Sequence, residues 1–365
     1  MKSYFCFGRN FLKYFFALVT LFGIVILLIY TDTCKDSVTE GINACTGILV
    51  PSLFPFFFLS SFIVYTDSLS VLTKPLYFAE KIFDIPRAGI GAVILSLIGG
   101  YPVGAKTVSA LYRENKITYY TAKKLCYCCV GSGSGFLVTF IGEGIFLSKK
   151  FGILLLISNA VSVISVLLLS RLNSLFRKNK ESSKEFKVSE KIVENNSRLN
   201  LGDAVVLATE NAVKTTLSMC GIVVIFIVIN NLLALIPLYN GYLALALEIT
   251  GGLIKYGKGM TFETIAFITG FGGICVHFQI YGIAGKIKIN KLQFVFARIV
   301  QGGISALVLH ILLLLFPVTR ETFSSLTSAP NGTFSGTLWG GGAIILLSIV
   351  FLITIKKQEV NLCAE

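Results

Sequence analysis

The side chains of this 365-residue sequence that could do chemistry in apolar surroundings gather beside glycines. Lys106 follows Gly99-Gly100-Tyr101-Pro102-Val103-Gly104. Glu248 stands inside the apolar run 238–254, just before Thr250-Gly251-Gly252, and His277 and Gln279 follow Gly272-Gly273. A charge at the centre of a bilayer costs roughly 3 kcal/mol on insertion scales, so ionisable groups in such runs are candidates for solute contact or proton coupling. Ser132 and Ser134, interleaved with Gly131, Gly133 and Gly135, can offer hydroxyls and exposed amides to an anion at a helix start. They serve equally as small residues for close helix packing. His277 reads either as a neutral, hydrogen-bonded core histidine or as a site residue. Glu143 and Glu210 read as interfacial and His310 as structural, while Asn230-Asn231 interrupts an otherwise apolar helix.

No catalytic set accompanies them. The sequence has no Gly-x-Ser-x-Gly elbow, no His-Glu-x-x-His and no phosphate-binding Walker loop, so an enzyme is not expected and no cofactor is implied. Nine cysteines form no paired framework. Cys126-x-Cys128-Cys129 has no His, Asp or Glu at ligand spacing, which leaves these thiols as small hydrophobes rather than metal ligands.

The elements that must position these residues are membrane helices. The composition is 54% hydrophobic and only 14% charged, with a mean hydropathy of +0.78, against roughly 25% charge in soluble domains. Apolar stretches near 14–30, 42–65, 88–112, 127–147, 151–170, 214–236, 238–254, 264–285, 297–317 and 337–355 approach the ~20 residues that a hydrocarbon layer demands. The formal charge of +13 fits lysines and arginines held in cytoplasmic loops. No aromatic-basic interleaving points to nucleic acid.

Full crossing by every stretch would put basic loops on the wrong side. The loop with Arg113, Lys116, Lys123 and Lys124, and the one with Lys286, Lys288, Lys291 and Arg298, both stay inside if 88–112 and 264–285 dip in and return. Glycine and proline weaken both stretches, and broken backbone at membrane depth is tolerated only inside protein or beside a wet cavity. The expectation is an all-α polytopic membrane protein with about eight transmembrane helices, two broken or re-entrant hairpins and two structural repeats. Residues 1–41 form an uncleaved membrane helix and outer loop, and 42–170 the first transport repeat. Residues 171–200 form a basic cytoplasmic linker and 201–317 the second repeat. An outer loop, a last membrane helix and a cytoplasmic tail fill 318–365. Gly99-Gly100 is paired with Gly272-Gly273 across the repeats. Glycine-interrupted segments in matching places are a pointer to a transporter binding site. The repeats are parallel, or inverted if 238–254 fails to cross.

Val50-Pro51-Ser52-Leu53-Phe54-Pro55-Phe56, the stretch Gly99 to Lys106, Glu248-Ile249-Thr250-Gly251 and Gly270 to Gln279 resemble the sporulation integral membrane protein YlbJ (SpoVV) family. That family belongs with the nucleoside-recognition, or Gate-domain, membrane proteins. The resemblance spans roughly 40–317 and implies a transporter of dipicolinic acid, a small aromatic dicarboxylate, from the mother cell across the outer forespore membrane. Where the family leads one to expect Asn-x-Gly-Pro after the cysteines, this chain has Gly131-Ser132-Gly133-Ser134. The expected substrate-binding set is Gly99, Gly100, Lys106, Ser132, Ser134, Glu248, Thr250, Gly272, Gly273, His277 and Gln279, with Lys106 drawing the carboxylate. The expected partners are a small anionic solute and the lipid bilayer, with further copies of the chain or other sporulation membrane proteins beside them. A nucleoside carrier and a non-transporting membrane scaffold are the competing readings.

Overall fold

The computed structural model describes residues 2–66, 68–176 and 200–318, and every regular element among them is helical. In chain order these are α1 (Lys2–Ile29), α2 (Thr31–Ala44), a π-helical turn (Cys45–Leu49), α3 (Val50–Tyr65), α4 (Ser68–Leu72) and α5 (Tyr77–Phe83). Next come α6 (Arg87–Gly99), α7 (Tyr101–Arg113), α8 (Tyr119–Cys128), a π-helix (Gly135–Ile145) and α9 (Lys149–Phe176). The remainder comprises α10 (Leu201–Leu233), α11 (Gly241–Leu247), α12 (Ile249–Tyr256), α13 (Phe262–Phe271), α14 (Gly273–Ala284) and α15 (Lys291–Leu315). Most of the expected 171–200 linker, and the expected last membrane helix at 337–355, lie outside the described residues.

Among the described residues, five stretches are long and apolar enough to cross a membrane: Thr31–Tyr65, Lys149–Arg171, Leu201–Leu233, Phe262–Ala284 and Lys291–Leu315. The chain is therefore a multi-pass integral membrane protein. Side-chain contacts sort the connections into two ends. At one end Lys116 donates to the Val64 carbonyl (2.6 Å) and Lys124 to that of Phe83 (2.9 Å), while the Asn290 amide reaches the Tyr127 hydroxyl (2.9 Å). At the other end Lys150 donates to the Pro317 carbonyl (3.0 Å), Phe146 rests on Phe262 (ring centroids 5.5 Å apart) and Lys255 pairs with Glu40 (3.4 Å). The first end also carries Lys74, Lys81, Lys286, Lys288 and Lys291, and is called the basic end below.

Two helical hairpins enter the bundle from opposite ends. The first is α6 and α7, whose open side faces the basic end. Gly104 sits against Ser96, where an added Cβ would lie 2.5 Å from the serine's own. In a continuous helix those positions would be about 12 Å apart. The corner is Gly100, at φ 95° and ψ −174°, a conformation open essentially only to glycine. The second hairpin is α11 and α12. Gly252 lies against the Leu245 backbone and Gly241 against Tyr256, with hypothetical Cβ distances of 3.0 and 2.9 Å. Its corner is Glu248, extended at φ −143° and ψ 118°.

This corrects the reading of the second half. The stretch 238–254 does not cross but folds back at Glu248, and 264–285 is not a hairpin. Along α13 and α14, neighbours on antiparallel α15 step without reversal: Glu263 meets His310 (3.0 Å), Gly270 approaches Gly302, His277 touches the Phe294 ring, and the Tyr281 ring faces Lys291. Gly272 has φ 91° but ψ −2°, so the chain kinks and runs on. The two corners among the described residues are Gly100 and Glu248, whereas the chain kinks at Gly272. Broken spans follow both hairpins: α8, the unwound 129–134 and the π-helix in the first half, α13 and α14 in the second. Shifting the hairpin by one segment still leaves Lys286, Lys288 and Lys291 at the basic end, so loop charge alone could not distinguish the two arrangements.

Candidate functional site

Both hairpin corners and both broken spans contribute residues to one cavity of about 70 Å³, room for on the order of five waters. Gly99, Gly100, Tyr101 and Pro102 line it from the first hairpin, and Glu248, Ile249 and Thr250 from the second. Gly133, Gly135 and Phe136 come from the first break, and Cys275, Val276 and Gln279 from the start of α14. Ser52 and Phe56 of α3 with Met219 and Val223 of α10 close the remaining side. At Gly100, Gly133 and Glu248 the lining backbone leaves its helix, which is tolerated at membrane depth when it faces a cavity. No lysine, arginine or histidine is among the lining residues.

The two corners present opposite electrostatics. Glu248 caps its own helix: Oε1 accepts from the Thr250 amide (2.9 Å) and Oε2 from the Gly251 amide (2.6 Å). The positive end of the α12 dipole is thereby met by a carboxylate inside the protein. At the other corner no side chain caps α7. Pro102 has no amide to offer, and Tyr101, the first residue of α7, supplies an uncapped first-turn amide at the cavity lining.

Behind the cavity, side chains satisfy the carbonyls freed by the breaks. The Tyr101 hydroxyl donates to the Thr269 carbonyl, and the Ser132 hydroxyl donates to Tyr101 while lying 3.1 Å from that same carbonyl. One tyrosine of the first hairpin therefore joins the break at 129–134 to the break at Gly272. Arg298, fully buried, donates to the carbonyls of Tyr127 and Val130. Gln301 also donates to Val130 (2.8 Å), and Asn159 to Ser132 (3.1 Å). A buried guanidinium is costly unless its donors are used, and here it ties down unwound backbone from the neighbouring α15.

The residues expected from sequence divide into groups. Gly99, Gly100, Glu248, Thr250 and Gln279 line the cavity, and the Gln279 amide also contacts the Cys275 sulfur (3.4 Å). Ser134 holds the first corner in place by donating to the Ile98 carbonyl (3.1 Å), and Ser132 stands behind Tyr101. Gly272 and Gly273 form the second break without reaching the cavity. His277 points away: its Nε2 lies 3.0 Å from the Phe271 carbonyl and its ring is held edgewise between Phe271 and Phe294. Lys106 is also absent from the lining, with its ammonium 3.3 Å from Asn211 Oδ1 toward the basic end. Glu143 pairs with exposed Lys149 (3.7 Å), as an interfacial residue does. Cys126, Cys128 and Cys129 are all fully buried in an apolar cluster with Leu125 and Val163.

Sequence reading missed Tyr101, Phe56 and Phe136 as lining residues, although the motifs quoted contain the first two. It also took Arg298 for a loop charge. The signal for Arg298 was present, because it lies seven residues into an apolar helix and three before Gln301.

The chain is 24% identical over 388 aligned positions to the sporulation integral membrane protein YlbJ of Bacillus subtilis (strain 168), covering 94% of this chain and 92% of the relative. The resemblance to YlbJ holds across the chain. Such coverage includes both hairpins and both breaks of the YlbJ-like core. No family model matches the sequence, and no solved structure matches it.

Proposed function

We propose that this protein is a membrane carrier for a small organic solute, built from two inverted repeats of span, hairpin, broken span and span. The observation that carries the reading is the meeting of two oppositely inserted hairpin corners and two broken spans on one cavity. Paired discontinuous helices around a mid-membrane site are how secondary transporters expose half-helix termini and unwound backbone to a solute. The basic end is cytoplasmic, following the excess of lysine and arginine in its loops.

By its likeness to YlbJ, the solute is dipicolinate or a similar aromatic carboxylate, moved during sporulation across the outer forespore membrane. With no cationic side chain in the lining, a carboxylate group rests on the uncapped amides of α7, while Phe56, Tyr101 and Phe136 take the ring. The same lack of a cation favours a second reading, a neutral aromatic solute such as a nucleoside. Purified protein in liposomes, offered labelled dipicolinate in parallel with labelled uridine, separates the two. Saturable dipicolinate uptake that unlabelled uridine leaves unchanged is the expected result. Uptake of neither solute above protein-free liposomes would sink both carrier readings.

A further inference from the structure

We propose that the junction of α3, α7 and α10, on the basic-end side of the cavity, holds a separate anion site centred on the Lys106 ammonium, whose ligand is the carboxylate of a small organic acid. Lys106 is 7% exposed, and its Nζ has Asn211 Oδ1 at 3.3 Å as a partner. An ammonium has three N–H donors, and burying one costs several kcal/mol unless an opposite charge and further hydrogen bonds compensate. No carboxylate pairs with it among the described residues. The charges that act on it, Arg113 of α7 and Lys214 of α10, are both positive. Both are exposed, and the acids Glu114 and Glu210 lie near Tyr65.

Neighbouring side chains fix this arrangement. The Asn211 amide nitrogen donates to the Tyr65 hydroxyl (2.5 Å) and the Leu207 carbonyl (3.0 Å), which fixes Oδ1 toward Lys106. Ser61, one turn before Tyr65 on the same face of α3, is 1% exposed, and its hydroxyl has no partner. A carboxylate accepting from Lys106 and from Ser61 would satisfy both groups. The site is distinct from the cavity. Lys106 lies six residues past Gly100, about 9 Å along the helix. On each of the three helices a fully buried apolar residue, Phe57, Val103 or Ala212, falls in sequence between the cavity lining and the residues of this junction. The carrier reading gives this site its purpose, a port where an anion waits on the cytoplasmic side. Its affinity for carboxylate does not depend on that reading.

Titration calorimetry on the full chain in detergent, with sodium benzoate as the anion and benzamide as its neutral isostere, tests the proposal. Wild type and Lys106→Arg bind benzoate, whereas Lys106→Gln loses at least tenfold in affinity with an unchanged melting temperature. Benzamide shows no such dependence on residue 106. Asn211→Leu supplies a second lesion should Lys106→Gln not fold, and it lowers affinity through the lost alignment of Lys106. Benzoate affinity equal in wild type, Lys106→Gln and Asn211→Leu overturns the site, as does chloride competing as well as benzoate. Absent dipicolinate uptake in liposomes, together with Lys106-dependent benzoate binding, would remove the carrier reading and leave the anion site standing.

Discussion

The two hairpin corners line the same cavity and are built from opposite materials. One is a glycine whose φ of 95° and bare backbone leave the α7 amides uncapped. The other is a glutamate whose two oxygens already take the first amides of α12. Both joints reverse the chain because ψ is extended, −174° at Gly100 and 118° at Glu248, whereas Gly272, with ψ −2°, continues it. Reversal is therefore a matter of ψ at a single residue and not of glycine as such. The chemistry of that residue decides which corner is left receptive to an anion. In the proposed carrier the Gly100 corner holds the carboxylate, and the Glu248 corner, neutralised from within, faces the rest of the solute.

The largest break in this contrast comes from Gly100→Ala. A Cβ at that φ is strained, and it would lie 2.9 Å from the Gly133 amide nitrogen, so the corner has to move. Uptake in the liposome assay falls to background while the protein still inserts and elutes as a single species. Glu248→Ala acts on the other corner and is smaller. It removes a buried N-cap, which costs about 1–3 kcal/mol, and thermal unfolding in detergent reads this as a lowered midpoint. It also bares a second set of amides, so competition by dicarboxylates strengthens relative to monocarboxylates. His277→Phe is the mildest, because the ring faces Phe271 and Phe294 rather than the cavity. Uptake stays within about twofold of wild type with at most ~1 kcal/mol of stability lost, the scale of one hydrogen bond. A complete loss of uptake in this variant would return His277 to the site.

Much of this was legible from residue types alone. Apolar length pointed to a multi-pass helical membrane protein, and glycine and proline marked the breaks at Gly100 and Gly272. Which break turns back was not legible. Gly99-Gly100 and Gly272-Gly273 look alike as letters, and the true second corner at Glu248 has no glycine at all. Charge counting could not arbitrate, since either assignment of the second hairpin returns the 286–291 lysines to the same side. Lys106 and Arg298 were misplaced for a related reason. A cation near a helix end reads as a loop or solute-facing charge, and only packing reveals that one addresses Asn211 and the other the unwound carbonyls of Tyr127 and Val130. Five of the expected site residues nevertheless line the cavity, because glycine-flanked polar residues at membrane depth have few other uses.

The phenol of Tyr101 has a mechanical consequence. It is rooted in one half of the molecule and bonded to a carbonyl in the kinked crossing of the other, with Ser132 leaning on it from a third strand of chain. Neither kinked crossing can slide past the first corner without surrendering that latch. The corner and the two kinks are therefore fastened into one block, and a displacement of any one of the three carries the others along or breaks the latch.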